Sequence, residues 1–173
     1  MTLKVNTKQK TLKELVLLGL LVAINIILQK ISFGPAMVNV GLGFIGNIML
    51  GYYFGPFWGG IGGLLTDLLT SALFGFQGGF FPGFTLSAIV GVVIYGFFLY
   101  QKPVKLWRIA VATILVTIIV NIVMNTYWLH ILYGVNLKAA FTQRILKELI
   151  VPWIQIIVGY AVLNALQRVK IRK

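Results

Sequence analysis

The chain has no cysteine, which excludes a disulfide framework and any thiol chemistry. Acidic residues are nearly as scarce: Glu14, Asp67 and Glu148 are the whole set. They form no paired-carboxylate acid–base site, and no P-loop or nucleophilic triad is present, so the chain is not expected to be an enzyme or to hydrolyse ATP. The single histidine, His130, has no Cys, Asp or Glu at ligand spacing, so no metal is assigned. Charge of either sign is thin, at 10% of residues, where a soluble domain carries about 25%. That is too little polar surface to cover a water-soluble core.

Hydrophobic residues fill the space, at 59% of 173 positions with a mean hydropathy of +0.94. They fall in long unbroken runs, at residues 15–28, 38–54, 57–74, 82–100, 106–132 and 141–166. A lipid-embedded backbone must satisfy its own hydrogen bonds, which leaves helices or a closed barrel. A barrel needs alternation, and these runs do not alternate. The expected fold is therefore an all-α integral membrane protein of six transmembrane helices, a single domain over 1–173, with both termini on one side.

The net charge of +12 raises nucleic-acid binding as a function, but the placement of the charge argues against it. With the termini placed in the cytoplasm, 11 of the 15 basic residues lie on that face, in the two tails and around Lys102, Lys105 and Arg108. This is the distribution that the positive-inside rule describes. Lys30, Lys138, Arg144 and Lys147 fall on the other face and ask for a separate explanation.

The stretch Phe80-Phe81-Pro82-Gly83-Phe84-Thr85-Leu86-Ser87-Ala88 follows a Gly78-Gly79 break. Pro82 suits the first turn of a helix, where its missing N–H costs nothing. Gly83, Ser87 and Gly91 recur every four residues, so one side of that helix is nearly bare and admits a close neighbour or a ligand. Sixteen of the 19 glycines lie between Gly34 and Gly96, so helices two to four are expected to pack at close backbone distance. Gly55-Pro56 marks a tight turn, the run 106–132 is longer than a span requires, and Pro152 marks a kink in the last helix. On helix one, Gly19 and Ala23 have the small-xxx-small spacing of a helix–helix contact.

Asp67 stands inside the third span, where a carboxylate faces protein or water rather than lipid. It is either a functional group or a partner for a nearby hydroxyl or backbone N–H. Thr113, Thr117, Asn121 and Asn125 share one face of helix five, continued by Trp128. They are either interhelical glue or a ligand wall, in which an amide and an indole suit a flat heteroaromatic molecule. Arg144, Lys147 and Glu148 share a face of helix six, as an i,i+4 pair at a wet helix end or as an anion-capturing group.

Phe81-Pro82-Gly83-Phe84-Thr85-Leu86-Ser87-Ala88 with Tyr95-Gly96, and later Asn125-Thr126-Tyr127-Trp128-Leu129 with Leu132-Tyr133-Gly134, resemble the folate-specific substrate-binding subunits (S components) of energy-coupling factor transporters. The resemblance runs over essentially the whole chain. It implies a six-helix bundle with cytoplasmic termini that binds folate near the outer face and works with a transmembrane coupling protein and two ATPases. ATP would be used by those partners, with no cofactor in this chain, and the bundle would topple to open its site inward. The resemblance places Gly19 and Ala23 at the coupling-protein contact, where the family has an alanine at the first position. It gathers Lys30, Asp67, Phe81, Pro82, Gly83, Phe84, Thr85, Asn125, Trp128, Arg144 and Lys147 around the vitamin. The aromatics would sandwich the pterin, Asp67 or Asn125 would read its donor edge, and the cations would draw in the glutamate carboxylates. The alternatives are an S component for thiamine, riboflavin or pantothenate, or a non-transporting membrane scaffold.

Overall fold

The computed structural model describes residues 12–33, 40–74, 81–134 and 136–168, with backbone alone at 139, 140, 143 and 146. The lysines at positions 4, 8 and 10, the Gly34-Pro35 loop, the Gly78-Gly79 break and the last basic residues lie outside the described residues. Helix α1 spans Leu12–Lys30. A short antiparallel pair follows, β1 (Ser32–Phe33) with β2 (Val40–Gly41), in the register Ser32↔Gly41 and Phe33↔Val40. Helices α2 (Gly43–Phe74) and α3 (Pro82–Leu99) come next. Then α4 (Leu106–Val116) runs into a π-helical segment, Thr117–Met124, and on into α5 (Asn125–Tyr133). Helix α6 (Leu137–Arg168) closes the bundle and passes through Pro152.

The bundle is an all-α membrane protein. Among the described residues, five helical stretches are long and apolar enough to cross a bilayer: Leu12–Lys30, Gly43–Phe74, Pro82–Leu99, Leu106–Tyr133 and Lys147–Arg168. Their outward faces carry large apolar side chains, such as Leu20, Leu73, Trp153 and Ile157, a surface that only lipid or another membrane protein tolerates.

Helix α2 is not one straight rod. Gly55 has φ 75° and ψ −170°, a conformation that only glycine adopts without strain. Pro56 then opens the second arm in the position where a missing N–H does no harm. Nine residues of continuous helix would advance about 13 Å, yet a Cβ on Gly59 would lie 3.0 Å from the Leu50 carbonyl oxygen. The arms 43–54 and 56–74 therefore fold back on one another at the expected Gly55-Pro56 turn.

Lipid removes the hydrophobic drive between helices, so association rests on close packing. The glycine-rich middle of the chain supplies it. A Cβ on Gly51 would meet the Gly96 nitrogen and the Tyr95 Cβ, each at 2.8 Å, so α2 and α3 touch almost backbone to backbone. Two apolar clusters flank this seam. Leu18, Leu21, Val22, Leu50, Phe54 and Val92 join α1 to α2 and α3. Ile48, Tyr95, Leu99, Ile109 and Leu163 join α2 and α3 to α4 and α6. Tyr95 adds a buried hydrogen bond, its hydroxyl donating to Thr113 Oγ1 at 3.3 Å.

Candidate binding site

The bundle holds an open cavity of about 380 Å³, walled by the end of α1 at Gln29, by α2 at Asn47 and Asp67, by α3 at Phe84, Ser87 and Gly91, by the π-helical segment and α5 at Asn121 and Asn125, and by α6 at Gln155. The bare stripe on α3 forms one wall. Pro82 sits in the first turn of α3, after an extended Phe81, and this orientation turns Phe84, Ser87 and Gly91 toward the cavity. A Cβ on Gly91 would meet nothing within 4 Å, so the opening there comes from the missing side chain.

Polar groups converge on this space. Thr85 is buried and its hydroxyl donates to Asp67 Oδ2 at 2.7 Å. One carboxylate oxygen of Asp67 is thereby held, and the residue still lines the cavity. Asp67 thus partners a hydroxyl, as one reading expects, and its place in the lining leaves the functional reading open to test. Asn125 also lines the cavity, and its Oδ1 is buried with no hydrogen-bond partner. Asn121 lines the same wall and its Nδ2 donates to Glu148 Oε2 at 3.2 Å.

An aromatic group stands behind Phe84. The Phe81 ring meets Phe84 at 5.9 Å and Trp128 at 5.6 Å between centroids, both edge to face. Trp128 Nε1 donates to Ser87 Oγ at 3.0 Å, so the indole N–H is used within the protein. Gly83 allows this cluster, because a Cβ there would collide with the Phe81 ring and come within 2.6 Å of Trp128 Cδ2.

Of the residues expected from the sequence, Asp67, Phe84 and Asn125 line the cavity directly. Thr85, Phe81, Gly83 and Trp128 touch or hold those that do, and Pro82 sets the helix start. The three cations stand apart from the wall. Lys30 Nζ lies 4.3 Å from the centroid of the Phe74 ring. Arg144 Nη1 donates to the Asn121 backbone carbonyl at 2.9 Å. Lys147 neighbours Glu148 on α6. Gly19 and Ala23 are exposed on α1, and a Cβ on Gly19 would meet nothing within 4 Å.

Gln29, Asn47 and Gln155 contribute to the wall without having been singled out as ligand-binding from the sequence. Gln29 and Asn47 are isolated polar side chains with no local pattern, Gln155 continues the Arg144 and Glu148 face of α6, and only the tertiary fold brings the three together. The Thr113–Asn125 stripe divides. Thr113 takes part in the Tyr95 contact between helices, whereas Asn121 and Asn125 face the cavity.

A multi-pass helical bundle with an open cavity, lined by polar side chains from several spans, is the architecture of a membrane subunit that binds a small molecule. A family described as ECF transporter, substrate-specific component, matches residues 13–167. The chain is 38% identical over 163 residues to the folate transporter FolT of Clostridium novyi (strain NT), with 94% of each covered. It is 30% identical over 159 residues to the folate transporter FolT of Leuconostoc mesenteroides, covering 88% of this chain and 85% of that one. A crystal structure of FolT bound with folic acid superposes with a TM-score of 0.81 at 36% identity, over 90% of this chain and 95% of that chain. The chain belongs to the family of ECF transporter substrate-specific components, a transport family.

Proposed function

We propose that this protein is the folate-capturing subunit of an energy-coupling factor importer. It crosses the membrane six times with both termini in the cytoplasm and takes folate from the outer side. It delivers folate inward by toppling, driven by a transmembrane coupling protein and two ATPases. The exposed Gly19 and Ala23 on α1 offer a close-approach surface for that coupling protein.

The observation that carries the folate reading is the buried, unpartnered Oδ1 of Asn125, on the same cavity as Asp67. A buried acceptor without a donor costs about 1–3 kcal/mol, and a ligand rich in N–H groups removes that cost. The pterin of folic acid has a flat ring with an amino group and an adjacent ring N–H as donors along one edge. Asp67 and Asn125 accept from that edge, and Phe84, braced by Phe81, covers its face. The cavity volume of about 380 Å³ falls in the ordinary range for small-molecule sites, roughly 300–1,000 Å³. Lys30, Arg144 and Lys147 add positive charge on the outer side, which draws the glutamate carboxylates toward the site.

Folic acid titrated against the purified subunit in detergent, read by tryptophan fluorescence, tests this. The wild-type protein binds folate. Asp67→Asn can still accept the Thr85 hydroxyl but loses its charge, so it binds roughly tenfold or more weakly with an unchanged melting temperature. Binding of thiamine, riboflavin or pantothenate instead moves the assignment to another vitamin. Absence of affinity for any of them points to a scaffold.

A further inference from the structure

Two side chains of α6 grip a single residue of the neighbouring span. Arg144 Nη1 donates to the main-chain carbonyl of Asn121 at 2.9 Å. One turn further along α6, Glu148 Oε2 accepts from the side-chain Nδ2 of the same asparagine at 3.2 Å. Asn121 lies in the middle of the π-helical segment Thr117–Met124 and lines the cavity, while Glu148 does not. π-Helical turns inside longer helices often mark functional positions.

An asparagine amide has two different ends, an acceptor oxygen and a donor NH2, and a half-turn about its last bond exchanges them. Left alone, Asn121 presents either end to a ligand. A carboxylate accepts hydrogen bonds and has none to give, so it fixes the choice. With Nδ2 held by Glu148, Oδ1 is the end of Asn121 left for a ligand. That oxygen joins the Asp67 carboxylate on the acceptor side of the site.

We propose that Glu148 is a positioning residue that never touches the ligand and that sets the hydrogen-bonding polarity of the wall by orienting Asn121. The wall thereby selects ligands that donate hydrogen bonds along this edge. A carboxylate inside a span is costly to place, and here it holds a wall amide whose polarity is otherwise undetermined. The inference rests on the folate reading of the cavity.

A double-mutant cycle on folic acid affinity tests it, with Asn121→Ala, Glu148→Ala and the pair measured in the intact subunit. Each single change weakens binding roughly tenfold, the scale of one lost hydrogen bond. The double mutant is also down roughly tenfold, because both changes remove the same contact. Glu148→Gln offers Asn121 a donor as well as an acceptor, so it no longer fixes the amide, and its affinity falls between wild type and Glu148→Ala. Losses that multiply to about a hundredfold overturn the proposal, and so does Glu148→Gln binding as tightly as wild type. If Glu148→Ala does not fold, Glu148→Met takes its place. The Glu148→Gln arm also decides by itself, since unchanged affinity contradicts a role that only an acceptor-only group can fill. Wild-type protein that binds no folate at all removes the folate reading along with this one. Wild-type binding with independent losses removes this one alone.

Discussion

Gly83 is the residue on which the aromatic side of the site turns. It is buried at the start of α3, and a methyl group there would strike the Phe81 ring and come within 2.6 Å of the Trp128 indole. Both rings must move to admit it, and Trp128 cannot move without straining its hydrogen bond to Ser87. Gly83→Ala is therefore expected to destabilise the protein by about 1–3 kcal/mol, the usual cost of overpacking, and to weaken folate binding. A melting curve together with a folate titration checks this. Unchanged values for both would show that the rings are not braced against the backbone here. Much of this was readable in the sequence. Pro82 announces a helix start by its chemistry, and Asp67 stands out because carboxylates are rare at membrane depth. The partnership between Thr85 and Asp67 was not readable, since 18 residues and a chain reversal separate them. The local pattern offers Arg144 as half of an i,i+4 pair at a wet helix end or as an anion-capturing group. Its donation to a backbone carbonyl on another helix leaves no trace in the local pattern.

At the scale of elements, the seam between α2 and α3 depends on the absence of side chains. Gly51 faces Gly96 and Tyr95 across it, and the atoms a Cβ would meet include backbone, which no rotamer change can clear. Gly51→Ala is expected to force the helices apart and lower the melting temperature in detergent, at a cost of about 1–3 kcal/mol. Protein that still folds should keep measurable folate affinity, because Gly51 does not line the cavity. Loss of binding without loss of stability would place the seam within the site instead. The glycine clustering made this packing legible in advance, because close helix contact in lipid needs small residues. The π-helical segment Thr117–Met124 was not legible. The Thr113, Thr117, Asn121, Asn125 stripe reads as one continuous α-helical face. Yet Thr113 serves the α3 contact and the two asparagines serve the cavity. The altered winding starts after Thr113 and contains Asn121, so the change of role falls where it begins.

At the scale of the whole molecule, the proposed topology hangs on Gly55. A 32-residue α2 laid out straight would be about 48 Å long, well beyond the roughly 30 Å of hydrocarbon. Folded back at Gly55, it becomes two arms. The first arm, 43–54, advances only about 18 Å, and the β pair lies at its N-terminal end. Gly41 of that pair lines the cavity, the setting in which non-helical backbone is tolerated at membrane depth. Counted this way, four crossings separate Lys13 from Lys105, and the two residues share a face. Counted as one crossing, α2 would leave three between them and put them on opposite faces. The chain has no cysteine, so a single introduced thiol reports its own location without background. Lys13, Lys105 and Lys138 are all exposed and suit the substitution. A membrane-impermeant maleimide is expected to label Lys138→Cys in intact cells and to label Lys13→Cys and Lys105→Cys only after permeabilisation. Labelling of Lys13→Cys and Lys105→Cys from opposite sides would mean that α2 crosses once. The cytoplasmic excess of basic residues would then lose its meaning, and Lys30, Arg144 and Lys147 could no longer be assigned to the face from which folate arrives.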